Sequence, residues 1–499
     1  MSHHTATASE AAIPTQRHAH QPHGHPPQSL VDEPGSKMPW TTLGLMLLAQ
    51  FMVILDVSVV NVAMPSIGRD LDFTSGDYQW VVSAYVLFSG GFLLLGGRLA
   101  DLRDRRRMFL IGLGAFTAAS LASGFATSAD MLIASRAAQG LGAAMLTPAA
   151  LSIILTTYTG RQRATALSVW GAIGSSGIAA GVLFGGALTS ALSWEAVFFI
   201  NVPIGIAVAA GTLRVISSTK VGRLSRGQLD LPGAVTLVAG LVVLVYGIEG
   251  TQSHGWTSAR TALTLLLAVG LLAAFALVEK NVGSPLVPPR TWAIRSLTSA
   301  SVVMAGVTGV VVGAIFLSSL YLQRVIGSSA IVTGLQFLPL AAAITVTAAI
   351  ASKQLGRVSP RTLIAVGILV MAGGALLLAA QAGGTSYTAD VLPGLLLLGA
   401  GVGPMFVAIS VAAMGDVPDA DAGLGSGLMM TGHEVGAALG VAVLTAVGGD
   451  LTSQAGLVDA YGRAFVAVLV ILALLLVVTL VAVPKKVAHG VGAAGHGMH

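Results

Sequence analysis

The chain has 499 residues, of which 54% are apolar and only 9% are charged, against roughly 25% charged residues in a typical soluble domain. Such a composition excludes an ordinary soluble enzyme and indicates that much of the apolar surface faces lipid. There is no cysteine, which excludes disulfides, thiolate metal sites and a cysteine nucleophile. The net charge is +5, and the placement of the basic residues decides what this charge means.

Residues 1–39 are polar and carry six of the eleven histidines. We interpret this segment as a disordered His-rich cytoplasmic tail. A short His-rich tract can bind a transition metal, but the spacings here are irregular and no carboxylate or thiolate set accompanies them, so we predict no metal site. The segment also lacks the pattern of a secretory signal peptide.

Long apolar stretches begin at Trp40 and predict fourteen membrane spans, arranged as six, two and six. The predicted organisation begins with an N-terminal six-helix bundle (40–216), a basic cytoplasmic linker (217–230) and two additional transmembrane helices (231–279). It continues with a cytoplasmic loop (280–296), a C-terminal six-helix bundle (297–484) and a cytoplasmic tail (485–499).

The basic residues predict the orientation of these spans. Loops on the side of the two termini carry 20 Lys and Arg residues, the opposite loops carry 4, and the remaining 2 lie within spans. The positive-inside rule then places both termini in the cytoplasm. The basic balance is therefore explained by topology and gives no reason to expect a nucleic-acid partner.

Four motifs within 40–484 resemble the major facilitator superfamily. They are a basic loop after the second span (97–107), a stretch of the first span that contains Asp56 (55–65), a stretch of the fourth span that contains Arg136 (136–142) and a glycine-rich stretch of the fifth span (181–186). With fourteen spans and the stretch 198–205, the chain resembles the drug:proton antiporter branch (EmrB/QacA-like). The resemblance implies an all-α polytopic membrane protein with the major facilitator fold, in which two six-helix bundles flank two additional helices.

Two positions depart from the patterns of this family. The central glycine of the loop is replaced by Asp104, and the Gly-Pro of the exporter motif in the fifth span is Gly181-Val182. We expect the first change to reshape the turn after Asp101. The second weakens the motif most associated with export.

Ionisable residues inside spans are costly and mark functional positions. Asp56 in the first span fits the carboxylate that a proton-coupled exporter must protonate and release, and Arg136 in the fourth span fits the charge that switches it. A fixed structural ion pair is the alternative. His433 and Glu434 are adjacent in the thirteenth span and cannot both point at one cavity, and we favour Glu434 for the cavity.

Uncharged polar residues in the first and fourth spans are candidates for the substrate cavity. They are Gln50, Asn61 and Gln139. Gln50 and Asn61 are eleven residues apart and so share one helix face. Each can equally form hydrogen bonds between helices.

Glycines recur every three or four residues along the fifth span and predict a groove on one face. They are Gly171, Gly174, Gly177, Gly181 and Gly185. Such a face permits sliding against a neighbour, or else serves as a static packing surface. By resemblance to the family, this face contacts the other half of the molecule.

The loop after the second span predicts a conformational latch on the cytoplasmic side; the alternative is a pair of solvated loops whose charges follow from topology alone. Its residues are Gly97, Asp101, Arg105 and Arg106, and the acidic loop after the twelfth span is its expected partner. Exposed ion pairs of this kind contribute about 0–1 kcal/mol each, which suits a contact that must open in every cycle.

These observations favour a secondary active transporter in the bacterial plasma membrane, exporting lipophilic drugs or antibiotics in exchange for protons by alternating access. The small set of membrane carboxylates predicts that neutral or monocationic substrates are favoured over dications. An importer or bidirectional metabolite carrier on the same fold is the alternative. No catalytic motif or phosphate-binding loop is present, so we expect no enzyme activity and no cofactor beyond the proton gradient. We also expect the protein to function as a monomer.

Overall fold

The computed structural model of the chain is entirely helical over the part that it describes, which is residue 3 and residues 40–218, 229–355, 357–418 and 422–485. The predicted N-terminal tail, apart from His3, and most of the predicted linker and C-terminal tail lie outside this part. The side chain of Asp101 and the surroundings of Gly171 and Gly174 also lie outside it.

The first half of the chain forms six long helices and one short helical turn, Ala196–Phe199, before the sixth. These are α1 (Trp40–Asp70), α2 (Ser75–Leu102), α3 (Arg105–Gly124), α4 (Ala129–Thr157), α5 (Gly160–Ala191) and α6 (Asn201–Val215). Two helices then form a hairpin, α7 (Leu231–His254) and α8 (Ala259–Asn281).

The second half begins after a short helix, Pro289–Trp292, and again contains six long helices. These are α9 (Arg295–Arg324), α10 (Ala330–Gln354), α11 (Pro360–Ala380), α12 (Leu392–Met414, preceded by a π-helical turn at Tyr387–Val391), α13 (Ala422–Gly448) and α14 (Gln454–Ala482). Among the described residues, thirteen helices are long and apolar enough to cross a membrane. The chain is therefore a multi-pass membrane protein.

Serine side chains set the start of several of these helices. Each accepts a hydrogen bond from the backbone N–H three residues later, which satisfies one of the free donors of the first turn. These N-cap residues are Ser128, Ser258, Ser329, Ser359 and Ser453. Local sequence thus determines where the connections between spans end.

Glycines allow the helices of each bundle to approach closely. In the first bundle a Cβ on Gly142 would lie 2.5 Å from the backbone nitrogen of Phe116, and in the second a Cβ on Gly401 would lie 2.5 Å from the carbonyl oxygen of Gly367. In lipid, such close backbone packing replaces the hydrophobic driving force.

Two extensive helix pairs join the bundles, α2 with α13 and α5 with α10, and α1 also contacts α9 and α10. The additional helix α7 packs against both α2 and α13, at the margin of this interface. Only 11% of the most apolar stretch of its partner α8 is buried, so most of α8 is left for contact with lipid. The hairpin therefore covers the edge of the interface between the bundles.

Candidate functional site

A buried ion pair joins α1 to α4 inside the first bundle. Asp56 is 0% exposed and Arg136 is 1% exposed, and Arg136 Nη1 lies 2.5 Å from Asp56 Oδ2. Taking two charges out of water is costly, and the cost is offset only where further hydrogen bonds satisfy both groups. The surroundings of the pair supply these bonds.

Two side-chain amides from different helices donate to the second oxygen of Asp56. Gln139 Nε2 on α4 and Asn201 Nδ2 on α6 each lie 2.8 Å from Asp56 Oδ1. Asn201 also donates to Ser120 Oγ on α3 at 2.9 Å, and Ser120 donates to the carbonyl oxygen of Phe198 at 2.9 Å. Four helices of one bundle therefore converge on a single carboxylate, which we call the Asp56 network.

Arg136 has partners besides Asp56. Its Nη1 donates to Gln139 Oε1 at 2.7 Å and its Nε donates to the carbonyl oxygen of Val81 at 3.3 Å. The Tyr85 ring lies 4.4 Å from the guanidinium carbon, a separation at which a desolvated cation–π contact is favourable. The guanidinium is thus held from several directions and does not depend on the carboxylate alone for its position.

His433 and Glu434 lie on α13 in a more open setting than the Asp56 network. Their side chains are 33% and 21% exposed, and His433 Nδ1 lies 3.5 Å from Glu434 Oε1. The His433 ring faces Phe406 of α12 at 5.9 Å. Glu434 packs its Cβ against Gly90 of α2, so the two adjacent residues point toward different helices.

Asn61 and Gln50 lie apart from the Asp56 network, although both are buried on α1. Asn61 Nδ2 donates to the carbonyl oxygen of Val57 at 2.9 Å. Asn61 Oδ1 and Gln50 Oε1 are buried without a hydrogen-bond partner in the described part of the chain. Of the three predicted cavity residues, only Gln139 therefore contacts Asp56.

The glycine face of α5 packs against α1. A Cβ on Gly177 would lie 2.8 Å from Ile54 Cγ2, one on Gly181 would lie 3.0 Å from the carbonyl oxygen of Leu55, and one on Gly185 would lie 2.9 Å from Val59 Cα. The expectation that this face contacts the other half is thus wrong for these three glycines. That contact is made by the next residue, since a Cβ on Gly186 would lie 2.6 Å from the carbonyl oxygen of Ala330 on α10.

The described contacts of the predicted latch residues stay within the first bundle. Arg105 Nε donates to Ser152 Oγ at 2.7 Å, and Arg106 Nη2 donates to the carbonyl oxygen of Leu213 at 3.0 Å. Gly97 faces Pro148, whose Cβ lies 3.8 Å from the position that a Cβ on the glycine would take. Asp101 and the acidic loop residues Asp419 and Asp421 lie outside the described side chains.

Asp104, which replaces the loop glycine of the family pattern, forms the N-cap of α3. Its Oδ1 accepts a hydrogen bond from the backbone nitrogen of Arg106 at 3.0 Å. Its other oxygen accepts from the hydroxyl of Ser218 after α6. Asp104 therefore caps α3 and fastens its start to the segment after α6.

At the end of the molecule opposite the helix ends Trp40 and Ala482, side chains of α9 bind backbone carbonyls of α1. Ser319 Oγ donates to the carbonyl oxygen of Asn61 at 2.9 Å. Gln323 Nε2 donates to the carbonyl oxygen of Val62 at 3.0 Å. The Asn61 carbonyl is free to accept because its usual donor, the backbone nitrogen four residues later, belongs to Pro65 and carries no hydrogen.

Further bonds between the bundles accompany this contact. Thr445 Oγ1 on α13 donates to Gln79 Oε1 on α2 at 2.6 Å, and both residues are 0% exposed. Arg324 on α9 donates to the hydroxyl of Tyr78 on α2. Within the second half, it also donates to the carbonyl oxygen of Leu451 at 2.8 Å. We call this end the closed side and the other end the termini side.

The structure adds site residues that the sequence predictions did not include. Asn201 lies in the stretch 198–205 that contributed to the family resemblance. Its polar amide within an apolar span was the feature of the sequence that could have identified it as a site residue. Glu249 lies on α7, which continues to His254. Its Oε2 accepts a hydrogen bond from Trp80 Nε1 at 2.5 Å, which ties the additional hairpin to α2.

Comparison with known proteins decides the family. The sequence matches the Major Facilitator Superfamily over residues 46–441. The chain belongs to this superfamily of membrane transporters. The predicted resemblance and the predicted all-α fold are thereby confirmed, whereas the assignment to the fourteen-helix branch stays a prediction.

Several relatives are named for the export of antibiotics or for resistance to them. The chain is 40% identical to the cephamycin export protein CmcT of Amycolatopsis lactamdurans over 88% of this chain and 91% of that protein. It is 39% identical to the puromycin resistance protein pur8 of Streptomyces alboniger, over 83% of this chain and 82% of that protein. The multidrug resistance protein Stp of Mycobacterium tuberculosis is 35% identical over 82% of this chain and 74% of its own length.

Solved structures share the fold at low sequence identity. A D-xylose–proton symporter matches with a TM-score of 0.64 and 12% identity, covering 90% of this chain and 99% of that one. An inward-facing bacterial homologue of the lysosomal transporter Spinster matches with a TM-score of 0.62 and 18% identity, covering 90% of this chain and 97% of that one. At these identities the likeness concerns the fold alone.

Proposed function

We propose that the protein is a proton-coupled antiporter that exports a lipophilic antibiotic or drug from the bacterial cytoplasm by alternating access. The names of the relatives support export, and the 20-to-4 distribution of basic residues supports cytoplasmic termini in the plasma membrane. The substrate is neutral or carries one positive charge, and the monomer is the working unit.

The Asp56 network carries this proposal. Asp56 is fully buried, and both of its oxygens accept hydrogen bonds from side chains. Protonation removes the ion pair with Arg136 and turns an acceptor oxygen into a donor. Arg136 still has Gln139 Oε1, the Val81 carbonyl and the Tyr85 ring, so it has contacts to hold when the carboxylate is neutral.

This second set of contacts supports a switch, because the guanidinium keeps partners when the two charges separate. A fixed buried pair would use the same bonds to satisfy its remaining donors, so the Asp56→Asn variant decides between the two. Here, a proton that arrives at Asp56 changes the charge of a site where α1, α3, α4 and α6 meet. A change in how these four helices pack is the step that proton binding would drive.

The arrangement of the two ends supports an inward-facing conformation. Side chains of α9 and α13 bind α1 and α2 on the closed side, whereas Arg105 and Arg106 on the termini side bind only their own bundle through the contacts described above. With cytoplasmic termini, the closed side is extracellular. The latch predicted from the sequence then closes in the opposite, outward-facing conformation.

Replacement of Asp56 by Asn tests the proposal. Everted vesicles with an imposed proton gradient should show substrate uptake for the wild type and loss of gradient-driven uptake for Asp56→Asn, because the amide cannot exchange a proton. Asp70→Asn is a matched control, since Asp70 is exposed at the end of the same helix and lies outside the Asp56 network; it accepts a hydrogen bond from Trp194 Nε1 at 2.8 Å. The control should keep gradient-driven uptake.

Two outcomes would contradict the proposal. If Asp56→Asn accumulates substrate with the same dependence on the gradient as the wild type, Asp56 is a structural residue. If wild-type protein moves substrate into intact cells with the gradient and not out of them, the protein is an importer on the same fold.

A further inference from the structure

Tyr85 on α2 lies beside the Asp56 network, but its hydroxyl takes no part in the hydrogen bonds of that network. The residue is 1% exposed and its ring packs 4.4 Å from the guanidinium carbon of Arg136. Its Oη is buried and has no hydrogen-bond partner among the described residues. A buried hydroxyl without a partner is unfavourable, so a partner in another conformation would explain why it is tolerated.

The face of α13 that carries Glu434 borders this position. Tyr85 belongs to one apolar cluster with Ala437, Ala438 and Ala442 of α13. Glu434 and Ala438 are four residues apart and so lie on the same helix face, and the Cβ of Glu434 packs against Gly90 of α2. Glu434 of the second bundle and Tyr85 of the first therefore both lie at the α2–α13 interface.

Charged groups reach this part of α2 from four of the helices that pack against it. Asp56 comes from α1, Arg136 from α4, Glu249 from α7, and His433 and Glu434 from α13. Glu249 is bound to Trp80 and His433 faces Phe406, whereas Asp56 is bound to the arginine on which the Tyr85 ring packs and Glu434 packs against Gly90, on the same helix as Tyr85. Tyr85 thus lies between two carboxylates that belong to different bundles.

We propose that the Tyr85 hydroxyl binds the Glu434 carboxyl group when the termini side closes, and thereby links protonation of Glu434 to the Asp56 network. The hydroxyl donates to ionised Glu434 and accepts from the protonated acid. Because the Tyr85 ring packs on Arg136, a bond that draws the hydroxyl toward α13 moves the ring relative to the guanidinium. Tyr85 is then a positioning residue for proton coupling, and this inference rests on the function proposed above.

A double-mutant cycle on the pH dependence of export tests the link. Tyr85→Phe keeps the ring on Arg136 and removes only the hydroxyl, and Glu434→Gln removes the titrating group. Each single variant in proteoliposomes should shift the pH of half-maximal transport by about one unit, a tenfold change in apparent proton affinity. The double variant should shift it no further than the larger single change, and additive shifts would overturn the proposal.

Two further variants control for the loss of a buried tyrosine hydroxyl as such and for failure of Tyr85→Phe to insert. Tyr461→Phe is the matched control, because Tyr461 is equally buried and its hydroxyl already bonds Ser318 Oγ at 3.1 Å; it should leave the pH profile unchanged. Glu434→Asp keeps the charge but shortens the reach to Tyr85, so it should reproduce the shift even if Tyr85→Phe fails to insert. A wild-type profile for Glu434→Asp would refute the link.

The outcomes separate this inference from the proposed function. If Asp56→Asn retains gradient-driven transport, the proton-coupled function fails whatever Tyr85 does. If Asp56→Asn uncouples transport while the Tyr85 and Glu434 shifts add, the function stands and only the link between the bundles is wrong.

Discussion

The two bundles hold their membrane carboxylates in opposite ways. Asp56 in the first bundle is fully buried, and its partners Arg136, Gln139 and Asn201 all belong to that bundle. The Glu434 side chain in the second is 21% exposed, and its ion-pair contact with His433 measures 3.5 Å. The first acid is compensated within its own bundle, while the second stands at the interface and has little to compensate it.

This difference gives the two carboxylates different roles: Asp56 contributes to the stability of its bundle, whereas Glu434 is accessible to protons and cations. A carboxylate enclosed by donors contributes to the packing of the helices that supply them, so its charge and the fold of the first bundle are interdependent. A partly exposed carboxylate at an interface can exchange protons or meet a cation without disturbing its own bundle. Four measurements test this contrast, and their expected effects decrease in the order given.

Removal of the Arg136 side chain should strongly destabilise the first bundle. Arg136→Ala leaves Asp56 buried without its counter-charge, and the loss of one partner of a buried pair costs about 3–5 kcal/mol. We expect a large decrease in the melting temperature of the detergent-purified protein. Adding Asp56→Asn to Arg136→Ala should recover most of the loss, because the unpaired charge is then gone; a melting temperature for Arg136→Ala equal to the wild type would contradict the interdependence.

Removal of the charge of Glu434 should leave the fold intact and alter binding. We expect Glu434→Gln to change stability by no more than about 0.5 kcal/mol, as for other partly exposed positions. Binding of the monocation tetraphenylphosphonium should weaken about tenfold, equivalent to about 1.4 kcal/mol, while a neutral lipophilic compound keeps its affinity. Equal weakening of both ligands would show that Glu434 does not select charge.

The contact between α9 and α1 on the closed side should respond by a smaller amount. Ser319→Ala removes the donor to the Asn61 carbonyl that Pro65 leaves free, at a cost of about 0.5–1.5 kcal/mol to the closed arrangement. Spin labels on cysteines at Arg69 and Ser328, introduced into this cysteine-free chain, should then report a larger fraction of long distances. Ser319→Thr keeps the hydroxyl and should restore the wild-type distribution.

The turn at Asp450 should have the smallest effect. Hydrogen bonds from Ser453 and Thr452 lower the pKa of Asp450 to about 2. Because this pKa is depressed, its contribution to stability is complete above the ordinary value of 3.8 and is lost only as the pH falls toward 2. Asp450→Asn should therefore change the distance between the spin labels at positions 69 and 328 by the same amount at every pH from 5 to 8. A change that varies with pH in this range would contradict the lowered pKa of Asp450.

The sequence predicted the family, the helical class and the pair Asp56 and Arg136. Each of these depends on properties that act on one stretch at a time. Lipid excludes charge from any segment that spans it, so a lone acid and a lone arginine in apolar stretches are conspicuous without knowledge of their neighbours. Serine caps and the excess of basic residues in alternate loops are equally local signals.

The partners of those residues depended on tertiary structure. Asn201 and Ser120 complete the Asp56 network only because α6 and α3 pack beside α1, and the glycine face of α5 was assigned to the wrong neighbour since a groove does not specify what fills it. The bonds from α9 to the carbonyls of α1 depend likewise on the bundles meeting at that end. Hydropathy and charge determined which residues of this protein were unusual, and helix packing, which joins residues far apart in the chain, decided what they contact.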